Sequence, residues 1–279
     1  MNKQIILTLV IFIAIIGAIS IPNIIPVLGI SGNSIQFNVS LTISNSPPTI
    51  TFVPNGQTDT PLEATTKITQ ITFNASDSNG ISDIPAANAK VIINQSGVTL
   101  TSSACVVLSS SGNLNDYQCN VTINYYNLPG TWTINASVFD SASQSATNMT
   151  QSFTMGTLTA IQLKTNQMTF SGNPGDANVA ASNNPQLVNN TGNAAFGQIN
   201  LTAYSLQSGS NYIGAGNFTA NTSNTGGPGQ MLSNNTPVTL TNSSLAVQGT
   251  KNIYLYLNIP SSIQNGTYNS VSSWVATLT

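Results

Sequence analysis

Few side chains in this chain are equipped for chemistry. There is no His and no Arg, and the charged residues are five Lys against seven Asp plus Glu. That removes the commonest agents of acid–base catalysis and metal ligation. The two cysteines are the firmest pair, because an even count in an exported chain points to a disulfide. Cys105 and Cys119 lie seven residues either side of Gly112, inside Ser111-Gly-Asn113. A hairpin folded there sets them opposite each other, so the bridge is expected across neighbouring strands. Closing such a loop, about 15 residues long, stabilises by about 3 kcal/mol in the chain-entropy model. Two separate buried thiols are the alternative.

Oxygen chemistry has one local cluster. Asp77-Ser-Asn-Gly-Ile-Ser-Asp83 offers Asp77, Asn79 and Asp83 as metal ligands with Gly80 for the turn, in loose likeness to a Ca²⁺ loop. It lacks the terminal Glu of an EF-hand. Asp140 would add a ligand from the far loop of the same domain. The plainer reading, a turn in which Asp and Asn cap their own backbone, is preferred. No cofactor is expected, Ca²⁺ at this loop being the one exception. Asp59, Glu63, Asp116 and Asp176 are scattered, so nothing favours a two-carboxylate glycosidase. The serines lack a His partner. The chain therefore reads as non-enzymatic. Tyr125, Tyr126, Trp132 and Trp274 could form a sugar-stacking platform, but both Trp sit in apolar strand patterns that suit a core.

Composition explains this poverty. Charged residues make up 4% of the chain and the net charge is −2, against roughly 25% charged in ordinary soluble proteins. No basic footprint for nucleic acid exists. In its place stand 37 Asn and 68 Ser plus Thr. Hydrophobic residues reach 40%, too many for disorder. Thirteen N-glycosylation sequons occur, at Asn38, Asn74, Asn94, Asn120, Asn135, Asn148, Asn189, Asn200, Asn217, Asn221, Asn234, Asn242 and Asn265. Random placement in this composition gives about nine, so placement matters more than number. Asn38, Asn74, Asn120, Asn135 and Asn200 alternate with apolar neighbours and are expected on solvent faces.

The elements that must position these residues are strands. Cys119, Val121, Ile123 and Tyr125 alternate with Asn120, Thr122 and Asn124. After Asn127-Leu-Pro-Gly130, Trp132, Ile134, Ala136 and Val138 alternate with Thr131, Thr133, Asn135 and Ser137. Strict period two is what half-buried antiparallel strands need. Further strands are expected at 49–53, 67–76, 89–95, 98–108 and 146–155, separated by Pro54-Asn-Gly56, Ser78-Asn-Gly80 and Ser111-Gly-Asn113. Seven short strands at such spacing argue an Ig-like sandwich over 47–156. A second, Gly- and Asn-rich sandwich is expected over 157–279. There, 251–260 and 274–279 are read as a closing hairpin about Asn265-Gly266, and 221–237 as a mobile loop.

The N-terminus reads differently. Residues 1–20 carry one Lys, an apolar run and a small-x-small site, the outline of a signal peptide. A retained membrane anchor is the rival, since the run approaches a spanning length. Residues 21–46 hold a proline-broken linker and a lone strand with Ile35, Phe37, Val39, Leu41 and Ile43 on one face. Such a strand must pair with a sheet, either as an edge of its own chain or by donation to another copy.

Three stretches carry a family resemblance: Pro47-Pro-Thr-Ile-Thr-Phe-Val53, Asn74-Ala-Ser-Asp-Ser-Asn-Gly80 and Gly130-Thr-Trp-Thr-Ile-Asn-Ala-Ser-Val-Phe-Asp140. Residues 47–155 resemble Ig-like modules of exported envelope proteins, nearest to those of small-genome archaea. The resemblance implies a cell-surface β-sandwich and no activity. Leu187-Val-Asn-Asn-Thr-Gly-Asn193 is similar to a strand turn of extracellular Ig-like repeats. The expectation is an all-β envelope protein of two Ig-like sandwiches, extracellular and structural or adhesive. Its expected partners are its own copies, other envelope proteins or glycans, with a membrane contacted only through an uncleaved N-terminus. A fibre subunit assembled by donation of 35–43, or a carbohydrate-binding module, are the alternatives.

Overall fold

The computed structural model describes residues 37–225 and 229–279. The signal or anchor segment and Ile35 lie outside the described residues. The chain divides between Ser46 and Pro47. Residues 37–46 join no β-ladder, and Phe37, Val39, Leu41 and Ile43 are 76–81% exposed. No helix among the described residues is long and apolar enough to cross a membrane.

Residues 47–279 form one compact unit with two hydrophobic cores. The first sandwich has β1 (Thr49–Phe52), β2 (Gln57–Asp59), β3 (Thr66–Ser76), β4 (Ala89–Gln95), β5 (Val98–Ser111), β6 (Leu114–Asn124), β7 (Gly130–Phe139) and β8 (Ser145–Met155). Their order is β1-β3-β6-β5-β4-β7-β8-β2. β5 belongs to both layers: Val98 to Thr101 pair with β4, and Ser102 onward with β6. One layer is thus β1-β3-β6-β5 and the other β5-β4-β7-β8-β2. With β1, β3, β6 and the second half of β5 as A, B, E and D, and β4, β7 and β8 as C, F and G, this is the Ig arrangement.

The expected strands are present, and one was missed. β2 is three polar residues running parallel to β8, too short and too polar to show alternation. Alternation elsewhere does what period two requires. Ile71, Phe73, Val91, Ile93, Val121, Ile123, Ile134, Ala136 and Val138 are all fully buried, joined by Trp132. The indole N–H of Trp132 donates to the Leu128 carbonyl at 3.0 Å, which lets a polar edge enter the core.

The second sandwich is built of shorter pieces. Thr250–Leu257 is its longest strand and runs between Gln186–Asn190 and Phe218–Asn221, with Val179–Ala180 also paired to it. Facing it, Ile199–Thr202 lies between Val238–Thr239 and Val275–Leu278. The closing hairpin expected about Asn265-Gly266 does not form, because Val275–Leu278 pairs with Ile199–Thr202, in a different sheet from Thr250–Leu257. Inside the segment expected to be a loop, Gln230–Met231 pairs with Thr219 and Ala220.

The turn Asn190-Thr191-Gly192-Asn193 joins the two sandwiches. Asn193 is fully buried. Its amide donates to the carbonyls of Asn127 (3.0 Å) and Gly156 (2.9 Å) and accepts the Leu158 N–H (2.6 Å). Thr191 accepts the Ala64 N–H at its carbonyl (3.2 Å) and donates its hydroxyl to Glu63 (2.7 Å). Gly192 is required by close approach: a Cβ there would sit 2.1 Å from the Leu158 carbonyl oxygen.

Candidate functional site

The disulfide forms as expected, by a route the sequence did not disclose. Cys105 and Cys119 are bonded and stand opposite each other on β5 and β6, with Cα atoms 4.0 Å apart. The turn between these strands has two residues, Gly112 and Asn113, since Ser111 pairs with Leu114. Continued without interruption, that register would put Cys105 opposite Asn120. An irregularity between Val107 and Ser109 shifts the pairing by one residue and aligns the two sulfurs.

At one end of the same sandwich, loops from both layers bring three carboxylates together. Asp77 follows β3, Asp83 closes a 3-10 turn (Ile81–Asp83), and Asp140 follows β7. One carboxylate oxygen of each lies within 4.8 Å of the others. Hydrogen bonds hold the loops in place. Asp77 accepts the Asn79 N–H at Oδ1 (2.7 Å), its carbonyl accepts the Gly80 N–H (3.1 Å), and its own N–H donates to the Asn113 carbonyl (3.0 Å). Gly80 has φ 109°, a conformation that disfavours other residues. Asp140 Oδ1 accepts the Gln144 N–H at 2.7 Å. The Asp83 carbonyl accepts both the N–H (2.8 Å) and the hydroxyl (3.2 Å) of Ser141, tying the two connections to each other. Of the residues expected here, Asp77, Asp83 and Asp140 converge, while Asn79 contributes its backbone and is exposed. The backbone-capping turn expected as the plainer reading is also present. Asp77 Oδ2 is buried without a hydrogen-bond partner.

Beneath this loop, Tyr117 is buried and donates its hydroxyl to the Ile84 carbonyl, while the Asn115 amide donates to the Tyr117 oxygen at 3.0 Å. Burial pushes the Tyr117 phenol above its usual pKa, and the Asn115 hydrogen bond works against that rise. Elsewhere, Asp59 is bonded by Lys67 and by the Thr69 hydroxyl (2.6 Å). Burial pushes its carboxyl pKa up, but the bonds from Lys67 and Thr69, the Lys67 charge and the Thr60 N–H outweigh burial and hold it below the ordinary value. The groove beside Asp59 is lined by Gln57, Gln70, Thr72 and Gln118 and contains no second acid.

None of the thirteen sequon asparagines is buried: Asn38, Asn234, Asn242 and Asn265 are exposed and the other nine half-buried. The side-chain oxygens of Asn120, Asn135 and Asn189 are nevertheless out of water and unbonded. Tyr125 and Tyr126 meet edge-to-face at 5.1 Å. Trp132 is core, and Trp274 packs on Phe218 at 5.0 Å with its N–H on the Tyr204 carbonyl (2.9 Å). The four aromatics do not make one platform.

No protein-family model matches the chain, and no curated protein sequence does. Among solved structures, a secreted serine protease, VesC from Vibrio cholerae, matches over 81% of this chain and 49% of that one, at 14% identity and a TM-score of 0.22. The chain thus spans about half the length of that protein, and at this TM-score the likeness carries no argument.

Proposed function

We propose that this is a non-enzymatic structural protein of the cell envelope, exported and displayed on the surface, with adhesion or lattice-building as its role. The observation that carries the reading is the combination of a disulfide-stapled Ig-like sandwich with an almost uncharged surface whose sequon asparagines all retain access to solvent. Cross-strand disulfides persist in oxidising compartments. Glycans on those asparagines would keep a chain of so little net charge from associating without control. Intact-mass measurement and N-terminal sequencing of protein recovered from its native surface test this. A bridged, glycan-bearing chain beginning near residue 21, or beginning at Met1 and embedded in membrane, is the expected result. Unmodified protein with reduced thiols in the cytosol would end the proposal.

A second reading rests on a separate observation. Phe37, Val39, Leu41 and Ile43 present an apolar row with no ladder of its own. We propose that this row adds as a strand to a neighbouring copy, in the manner of fibre subunits. Deleting residues 21–44 should abolish polymers while leaving residues 47–279 folded; unchanged assembly would remove the idea.

A further inference from the structure

We infer that Asp77, Asp83 and Asp140 form a calcium site that clamps the two connections at one end of the first sandwich. This goes beyond the structural role proposed above and does not depend on it. The first ground is geometry. One oxygen of each carboxylate lies within 4.8 Å of the other two. Ca²⁺ holds oxygens at about 2.3–2.6 Å, so ligands on opposite sides of one ion stand roughly 5 Å apart. The trio can share an ion without moving the loops.

The second ground is a specific unmet demand. Asp77 is 1% exposed, and its Oδ1 is taken by the Asn79 N–H while Oδ2 has no hydrogen-bond partner. A buried carboxylate oxygen without a donor is costly, and buried charges are normally paired or bound to a metal. Two further carboxylates crowd it, and Asp140 is 2% exposed. A divalent cation satisfies Asp77 Oδ2 and cancels the mutual repulsion together.

The ligand chemistry selects the ion. An oxygen-only set lacking His and Cys suits hard cations. Ca²⁺ accepts an irregular shell of 6–8 oxygens, whereas Mg²⁺ demands a near-ideal octahedron and sheds water reluctantly. Two loops from different layers supply the irregular shell more readily. Binding to the folded state alone then stabilises the sandwich in proportion to external Ca²⁺.

The test is calorimetric titration of the full, disulfide-bonded chain with CaCl₂ after chelator treatment, paired with thermal melts. One saturable site is expected in the ~0.1–1 mM range of extracellular modules, with a rise in Tm that chelator reverses. Asp77→Asn should weaken binding at least about tenfold by removing a charged ligand. Because Asp77 is buried and its variant could fail to fold, Asp83→Asn, at a half-buried position, serves as a second variant with the same expected loss. Asp176→Asn, in the second sandwich, should bind as the wild type does. Three results would overturn the site: no saturable heat or Tm change at several millimolar Ca²⁺, Mg²⁺ acting as well as Ca²⁺, or undiminished binding by Asp83→Asn. So would a metal-independent rise in Tm for Asp77→Asn, which would show the trio relieved by neutralisation alone.

Discussion

From Thr66 to Met155 the first sandwich runs strands of 7 to 14 residues, whereas the longest strand of the second has eight and its others two to five. Long ladders satisfy the backbone of the first. In the second, primary amides do much of that work, since a carboxamide carries the same donor and acceptor as a peptide group. Asn184 donates to the Leu255 carbonyl (2.9 Å) and accepts the Leu255 N–H (3.0 Å). Gln186 makes the equivalent pair with Thr165, and Gln230 spans the Thr239 carbonyl and the Thr241 N–H. Asn190 ties the Ala194 and Ala246 carbonyls (2.7 and 2.9 Å). The amides of Asn and Gln are thus partly internal scaffolding.

The largest effect expected from breaking this arrangement is at the junction. Asn193→Ala leaves one N–H and two carbonyls unpaired in a buried place, at a cost of roughly 3 kcal/mol or more. Denaturant unfolding would show it, and a loss under about 1 kcal/mol would mean the amides are incidental. Next is the staple of the ladder-built half. Replacing Cys105 and Cys119 together by Ser should cost about 3 kcal/mol, read as a lower urea midpoint at unchanged slope. A smaller loss sharpens the contrast. Ser243 is buried, accepts the Ile199 N–H (2.7 Å) and donates to the Leu240 carbonyl (2.6 Å), so Ser243→Ala should cost about 1–2 kcal/mol. Thr122→Ala, on an exposed position of β6, should stay within about 0.5 kcal/mol. A further small effect is electrostatic. Because the folded pKa of Asp59 is lowered, its contribution is present above the unfolded value and lost as pH falls through the folded one. Wild type and Asp59→Asn should therefore differ by less than about 1 kcal/mol at neutral pH and converge below about pH 4, as acid titrations of stability would report.

The same contrast explains what could be read in advance. The β4, β6 and β7 strands, and β3 from Ile71 onward, were legible because burial alternates along them residue by residue. Gln57–Asp59 was invisible for want of any apolar residue. The second sandwich resisted reading because its pairing is set by carboxamides reaching distant backbone. Asn184 reaches Leu255 across 71 positions, and no local period records that. The cysteine pair was legible from the Gly112 turn, though the register shift beside Leu108 was not. The carboxylate trio was half legible. The loop of Asp77 and Asp83 announced itself by its residue types and Asp140 was expected from the far loop, but their meeting depends on β3 and β7 ending at the same edge of the fold.

The sealed turn at Gly192 and Asn193 has a consequence for how such a chain can change over time. Cut at residue 156, the first half would lose the amide that caps Asn127 and Gly156, and the second would lose the partners of its own turn. Neither piece is a bead that recombination could string elsewhere at no cost. The pair is inherited as a single brick.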